Sequence, residues 1–303
     1  MEGTALASQL KDKVRGQVYA NEPMWRHTSF RIGGPADVLV VPEDVSDLLT
    51  LIRILSDLQA PFYVIGAGTN LLVKDQGIRG VVIKVANSIS HIDSLNDGRL
   101  RCGAGALLPL VCRKAALLGL SGLEFASGIP GTVGGAVAMN AAAFGGVMAE
   151  LVDAAEVITY DGQQVKLNRE TLEPGAKTTR ILTEPLIVVE IDFTLKPGRR
   201  EQVLQKMQEY LEERAHRQPL SLPSAGCAFK NPKGEGAGRF IDAAGLKGLR
   251  VGGAEISRLH ANFIVNSGGA TCEDVMSLMK HVQDVVYSKF QVTLEPEVRL
   301  LGG

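Results

Sequence analysis

The 303-residue chain lacks several features that would have assigned it at once. No run of Lys or Arg stands out and the formal net charge is -1. Nucleic acid is therefore not expected as a main partner, because phosphate contacts dominate that affinity. A small anionic ligand stays open, since it needs only local positive charge. No apolar stretch reaches the ~18 residues of a membrane span; residues 48–68 come nearest and are broken by Arg53 and Asp57. The first twenty residues lack the shape of a secretory signal, so a cytoplasmic protein with no membrane association is expected, and no obligate protein partner is evident. Cys102, Cys112, Cys227 and Cys272 are scattered without a CxxC pair, the pattern of reduced thiols in a reducing compartment. The five histidines show no metal-ligand spacing. No metal is expected, and His91, His216 and His281 read as solvated or packing residues.

What is present in excess is glycine, 34 residues against the usual ~7%, clustered rather than periodic. The stretch "SGIPGTVGGAVAMNAAAFGG", residues 127–146, is mostly glycine and alanine and carries no charge. Its polar anchors are Thr132 and Asn140. A second cluster is "YVIGAGTNLLVKD", where a β-run turns at Gly66 and Gly68. A Rossmann fingerprint would need a third glycine where Leu71 stands, and the P-loop GKS or GKT is absent. The mechanism beneath both motifs survives, because bare backbone N–H groups in a tight turn cup an anion, with Asn70 able to add a side-chain bond. A plain tight turn is the alternative. For residues 127–146 the alternatives are close packing of two internal elements or a long ligand lying along the tract. Together with "HTSFRIGGPA", in which Arg31 precedes Gly33 and Gly34, the clusters favour an elongated ligand such as a dinucleotide.

Periodicity gives an α+β chain without internal repeats. Residues 11–23 read as a helix end and a loop, and 36–41, 62–66 and 80–85 as strands. An amphipathic helix places Val45, Leu48, Leu49, Ile52 and Leu55 on one face. An apolar helix follows around 107–119, then the glycine tract, then strands at 151–160 and 185–198. Pro197 and Gly198 mark a boundary. After it come a charged helix closed by Pro219, a glycine-rich region over 221–253, and a helix over 272–290 capped by Thr271. A closing strand over 291–301 would put Val292, Leu294, Val298 and Leu300 on one face and Glu295, Glu297 and Arg299 on the other. Pro296 confines that strand to an edge or an end. Three consecutive parts result: 1–86, 87–198 and 199–303.

The stretches "HTSFRIGGPAD", "YVIGAGTNLLVKDQGIRGVVIK", "LEFASGIPGTVGGAVAMNAAAFG", "PSAGCAFKNP", "AGRFIDAAGLKGLRVGGAEIS", "HANFIVNSGGAT" and "LEPEVRLLG" together resemble the UDP-N-acetylenolpyruvoylglucosamine reductases of peptidoglycan precursor synthesis, in their shorter form. They recur in the family's order over most of the chain. The resemblance implies a two-part FAD-binding domain of the vanillyl-alcohol-oxidase (PCMH/VAO) type, residues 1–86 and 87–198, followed by a smaller α+β substrate-binding domain, residues 199–303. It implies tightly bound FAD, with NADPH as a transient hydride donor and a UDP-sugar enolpyruvate as substrate. The cofactor would be held by Arg31, by Ile65, Gly66, Ala67, Gly68, Thr69, Asn70 and Leu71, by Ile129, Pro130, Gly131, Thr132, Gly134 and Gly135, and by Asn140 and Ala141.

The family reduces an enol ether that bears a carboxylate, so cationic or hydrogen-bonding groups are needed where charge develops, together with one proton donor. The family's donor is a serine at the position of Cys227; a thiol, with reference pKa ~8.5, gives up a proton more readily than an alcohol. Alternation alone does not choose between Glu295 and Glu297. The family pattern, an acid directly before Val-Arg, selects Glu297 to polarise the substrate carboxylate. Lys230 and Asn231 resemble substrate-facing groups, and Lys247 a diphosphate ligand. Tyr210 and Arg214 are candidates to line the same cleft. The chief departure is at 175–179, where the family's Tyr-Arg pair is replaced by Ala176 and Lys177. Lysine keeps the charge but not the bidentate fork, with Arg180 three residues on. These changes keep two alternatives open: a flavoenzyme of the same fold acting on another substrate, or a non-catalytic FAD-binding protein.

Overall fold

A computed structural model describes residues 3–232 and 235–303. The α+β chain divides by its internal packing into two compact units, each assembled from separate stretches. The first comprises residues up to 20, 38–67 and 80–214, the second 21–37, 68–79 and 215–303.

A four-stranded sheet, most of whose residues belong to the first unit, runs in the order Gln17–Pro23, Pro35–Val41, Ile78–Lys84, Phe62–Ile65, with the last two strands parallel. The helix Val45–Asp57 contributes Leu48, Leu51, Ile52 and Leu55 to its core, all fully buried. Leu51 takes the place expected for Leu49, which is only half-buried. Asp44 caps the helix by accepting the Asp47 N–H at 2.9 Å. Residues 17–23 form an edge strand rather than the expected loop. Only Val18 of that strand is buried, so no alternation was there to reveal it.

A second core gathers on the five-stranded antiparallel sheet Gln164–Asn168, Val152–Thr159, Leu186–Thr194, Arg99–Gly103, Ile92–Ser94. The helix Leu108–Leu117 packs on it, as does a short helix, Val133–Ala138, inside the glycine tract. Glycine's poor helix propensity hides that helix from pattern reading. Most of the helix Arg200–Arg217 belongs to this unit, with Val203 and Met207 in the same core.

The second unit is built on an antiparallel sheet in the order Ser224–Cys227, Phe263–Asn266, Ala254–Ile256, Arg250–Val251. The helix Cys272–Phe290 covers it, burying Val275, Leu278, Val282 and Val286. Its start is fixed by a capping box between Thr271 and Asp274 and by Asp75, whose carboxylate accepts the Cys272 N–H at 2.9 Å. The closing strand is much shorter than expected. Only Arg299–Leu301 is a strand, pairing in parallel with Leu71–Val73. Leu294 is buried, but Leu300 is 42% exposed, so one apolar face does not run the whole length. Gln291, at φ +55, caps the preceding helix, and Pro296 cannot donate to a ladder. Among the described residues no helix is long and apolar enough to cross a membrane.

Candidate active site

In the first unit the glycine tract has two distinct faces. One is packed to backbone contact. A Cβ at Gly134 would lie 2.8 Å from the Ala104 Cβ, and the Gly134 N–H donates to the Ala104 carbonyl at 2.9 Å. A Cβ at Gly66, just beyond the strand Phe62–Ile65, would lie 2.4 Å from the Thr132 Oγ1. Thr132 is itself buried, and its Oγ1 accepts the Gly135 N–H at 3.2 Å. The other face is bare: Pro130 and Gly135 are exposed, and Ile129, Gly131 and Ala141 half-buried. At its head Ser127 is 4% exposed, and its hydroxyl has no hydrogen-bond partner among the described residues. Buried hydroxyls are ordinarily paired, so this one fits a ligand that brings its own polar groups. A bare backbone face with an orphaned hydroxyl suits a long, polar cofactor such as FAD.

Asn140 lies at φ +41 and is buried. Its Nδ2 donates to the Gly175 carbonyl at 2.9 Å and its Oδ1 accepts the Ala149 N–H at 3.1 Å. Gly175 opens the turn that carries Ala176, which is exposed, and Lys177, which is half-buried at φ +61. The Gly175 N–H closes the turn on the Thr178 carbonyl at 2.9 Å. Arg180 pairs with Glu184 at 2.7 Å, a bond within its own helical turn. Tyr210 stacks on Phe144 with centroids 4.3 Å apart. A Cβ at Gly128 would meet the Arg214 Cδ at 2.8 Å, so glycine there makes room for that side chain.

In the second unit Arg31 is exposed at φ +55. Gly68, at φ +68, accepts the Ser29 N–H at 3.1 Å, and Thr69 and Leu71 are half-buried. Asn70 donates from Nδ2 to the Glu297 carbonyl at 3.1 Å and accepts the Arg299 N–H at 3.0 Å. That tie runs alongside the parallel pairing of Leu71–Val73 with Arg299–Leu301.

Cys227 ends the strand Ser224–Cys227 and is half-buried. The residues after it are gripped from two sides. On one side Asn262, 2% exposed, accepts the Phe229 N–H through Oδ1 at 3.0 Å and donates from Nδ2 to the Phe229 carbonyl at 2.8 Å. Its own carbonyl accepts the Ala228 N–H at 2.7 Å. On the other side the Glu297 N–H donates to the Ala228 carbonyl and the Lys230 N–H to the Glu295 carbonyl, both at 2.8 Å. Cys227, Lys230 and Glu297 thus stand on two segments joined by backbone bonds. Glu295 is exposed and pairs with Lys230 at 3.4 Å, while Glu297 is half-buried. Asn231 accepts the Ala237 N–H at 3.0 Å, at the start of the helix Ala237–Ala243. Lys247 pairs with Asp242 at 2.7 Å. Arg250 donates to Glu255 at 2.8 Å.

Burial pushes the thiols of Cys102 and Cys112 up to about 12 and that of Cys272 to about 11, which leaves them protonated and inert. Sequence reasoning missed Asn262 and Ser127. The signal for Asn262 was a carboxamide beside the apolar run "FIVN", since a buried amide must be satisfied. Ser127 gave no signal.

Residues 36–168 match the model of an FAD binding domain, which makes the chain an FAD-binding oxidoreductase with the two-part flavin fold. Residues 218–301 match the UDP-N-acetylenolpyruvoylglucosamine reductase C-terminal domain. The chain is 44% identical to the UDP-N-acetylenolpyruvoylglucosamine reductase of Alkaliphilus oremlandii over 94% of its length and 93% of that protein's. It is 42% identical to that of Caldanaerobacter subterraneus over 98% of both. The solved reductase of Thermus caldophilus is 39% identical and superposes with a TM-score of 0.81 over 95% of this chain and 99% of that one. The chain belongs to the UDP-N-acetylenolpyruvoylglucosamine reductase family.

Proposed function

We propose that this chain reduces the enolpyruvyl ether of UDP-N-acetylglucosamine enolpyruvate to UDP-N-acetylmuramate, with FAD as resident cofactor and NADPH as hydride donor. The observation that carries the reading is the clamped loop after Cys227, which holds Cys227, Lys230 and Glu297 on hydrogen-bonded segments. FAD, when bound, supplies the hydride-transfer chemistry, and the bare face from Ile129 to Ala141, the Ser127 hydroxyl and the turn at Gly66–Leu71 would hold it.

The chain's own residues supply aim, charge and a proton. As the reduced carbon gains hydride, negative charge develops on its neighbour and on the attached carboxylate. The Cys227 Sγ–H donates the proton that quenches it. Lys177 and Lys230 bring cationic charge to the carboxylate, and Glu297 hydrogen-bonds to it and polarises it. Lys247 and Arg250, among glycines, suit the diphosphate, and Asn231, Tyr210 and Arg214 line the sugar-nucleotide side. In this division of labour 1–86 and 87–198 bind the cofactor and 199–303 the substrate, with Lys177 of the second part reaching the substrate carboxylate. No second dinucleotide fingerprint is present, so NADPH visits the substrate's place in turn.

The test is spectroscopic. Purified protein is expected to show the visible absorbance of oxidised flavin, to bleach with NADPH under anaerobic conditions, and to recover colour on addition of the enolpyruvyl sugar nucleotide. Bleaching without recovery would assign the chain a different substrate on the same fold. Failure to bleach with either nicotinamide would leave it a flavin-binding protein without this activity.

A further inference from the structure

Asn140 and Thr179 stand at the two ends of one connection. Both are buried polar residues, Thr179 only 1% and Asn140 8% exposed. The Asn140 Nδ2 donates to the Gly175 carbonyl at 2.9 Å, and the Thr179 Oγ1 donates to the Ala138 carbonyl at 3.0 Å. The turn 175–178 is therefore fastened before and after Lys177 to the C-terminal end of the helix Val133–Ala138. A third bond, from the Ala149 N–H to the Asn140 Oδ1 at 3.1 Å, keeps the carboxamide from rotating. Below the turn, the Arg180 N–H donates to the carbonyl of the fully buried Leu172.

The backbone at Lys177 needs such fastening. Its φ of +61 lies in the left-handed region that a lysine enters only at a cost. Such conformations persist where the surroundings over-determine them. Within the turn Ala176 is exposed, and the backbone closes by the bond from Gly175 to Thr178. The side-chain bonds of Asn140 and Thr179 fasten it to the tract on both sides.

We propose that Asn140 and Thr179 are positioning residues that hold the Lys177 turn against the glycine tract, and that the Asn140 carboxamide fixes this turn rather than binding the cofactor. The inference rests on the reading of Lys177 as a substrate-carboxylate group. It makes the short helix of the tract a shared support, one end facing the Gly66 turn through Thr132 and the other carrying Lys177.

The experiment uses the full-length, FAD-loaded protein and the variants Asn140→Ala, Thr179→Val, Thr179→Ser and Lys177→Ala, alone and combined. Limited trypsinolysis followed by mass spectrometry reads the rate of cleavage after Lys177. Loss of one buried hydrogen bond should raise that rate roughly five- to tenfold in Asn140→Ala and Thr179→Val, and Thr179→Ser should stay near the parent. FAD content should be retained, and kcat/KM should fall by a similar factor in the parent background and not at all in the Lys177→Ala background. Unchanged cleavage after Lys177 overturns the inference, as does loss of FAD from Asn140→Ala without faster cleavage, or an effect on kcat/KM that simply adds to that of Lys177→Ala. Should Asn140→Ala fail to fold, Thr179→Val decides alone. If Lys177→Ala leaves kcat/KM unchanged, the carboxylate reading fails, while the fastening of the turn is still judged by the cleavage rate.

Discussion

The glycine tract and the segment 224–228 around Cys227 are both made of small residues, and they are held in opposite ways. The tract is fixed by collision. At Gly134, and at Gly66 where it faces Thr132, even a methyl group would run into Ala104 or Thr132, so one face is pressed against the rest of the unit and the other is left bare. The Cys227 loop is fixed by hydrogen bonds. Gly226, at φ +79, has nothing within 4 Å of where its Cβ would be, and order comes instead from Asn262 and from the backbone of Glu295 and Glu297. Bare backbone is thus not one signal. In the tract it builds a wall against which something long can lie, and in the loop it gives the thiol and its neighbours freedom that distant partners then remove.

The sharpest way to test that contrast is at Cys227, the proposed proton donor. Cys227→Ala should lower kcat/KM by ~10²- to 10⁴-fold, the range for a lost proton donor, while NADPH still bleaches the flavin at the parent rate. Cys227→Ser should recover most of the loss. A fully active alanine variant would make the thiol a packing group.

Next in size are the two kinds of support. Asn262→Ala strands the buried Phe229 N–H and carbonyl, at about 1–3 kcal/mol for each group. Gly134→Ala overpacks the tract at about 1–3 kcal/mol in all. Denaturant midpoints measure both, and the kinetics separate them. Asn262→Ala should depress turnover with flavin retained, whereas Gly134→Ala should weaken flavin retention. The reverse pattern would undo the comparison. The smallest effect is chemical selectivity. Iodoacetamide near pH 8 should modify Cys227 and spare Cys102 and Cys112, whose thiols burial holds at about 12, and Cys272, held at about 11. A thiolate forms only above its pKa, so labelling of those three should begin only in strong alkali or on unfolding.

Regular periodicity made most of the fold legible: the helices Val45–Asp57 and Cys272–Phe290 and the strands Val152–Thr159 and Leu186–Thr194 lie where the pattern puts them. The misses share one cause. Gln17–Pro23 buries a single side chain, Val133–Ala138 is written in glycine, valine and alanine, and 291–298 is ordered by caps and one bridge. In none of these does alternation carry the information. For the site, residue type and motif order singled out Cys227, Glu297 and the glycine clusters as candidates. They did not disclose that Asn70 spends its amide on Glu297, nor that Asn140 spends its own on Gly175 and Ala149. Those bonds join positions far apart in the chain, and local spacing is silent about them.

The parallel pairing of Leu71–Val73 with Arg299–Leu301 has a consequence for how the protein is made. About 230 residues separate the two partners, which at ~5–20 residues per second amounts to roughly ten to fifty seconds of synthesis. During that interval the short segment beside Asn70 waits without its mate, although much of the first unit has already emerged. The turn proposed to hold the cofactor is therefore completed only after Arg299–Leu301 has been made, so cofactor loading is expected to follow synthesis of that strand.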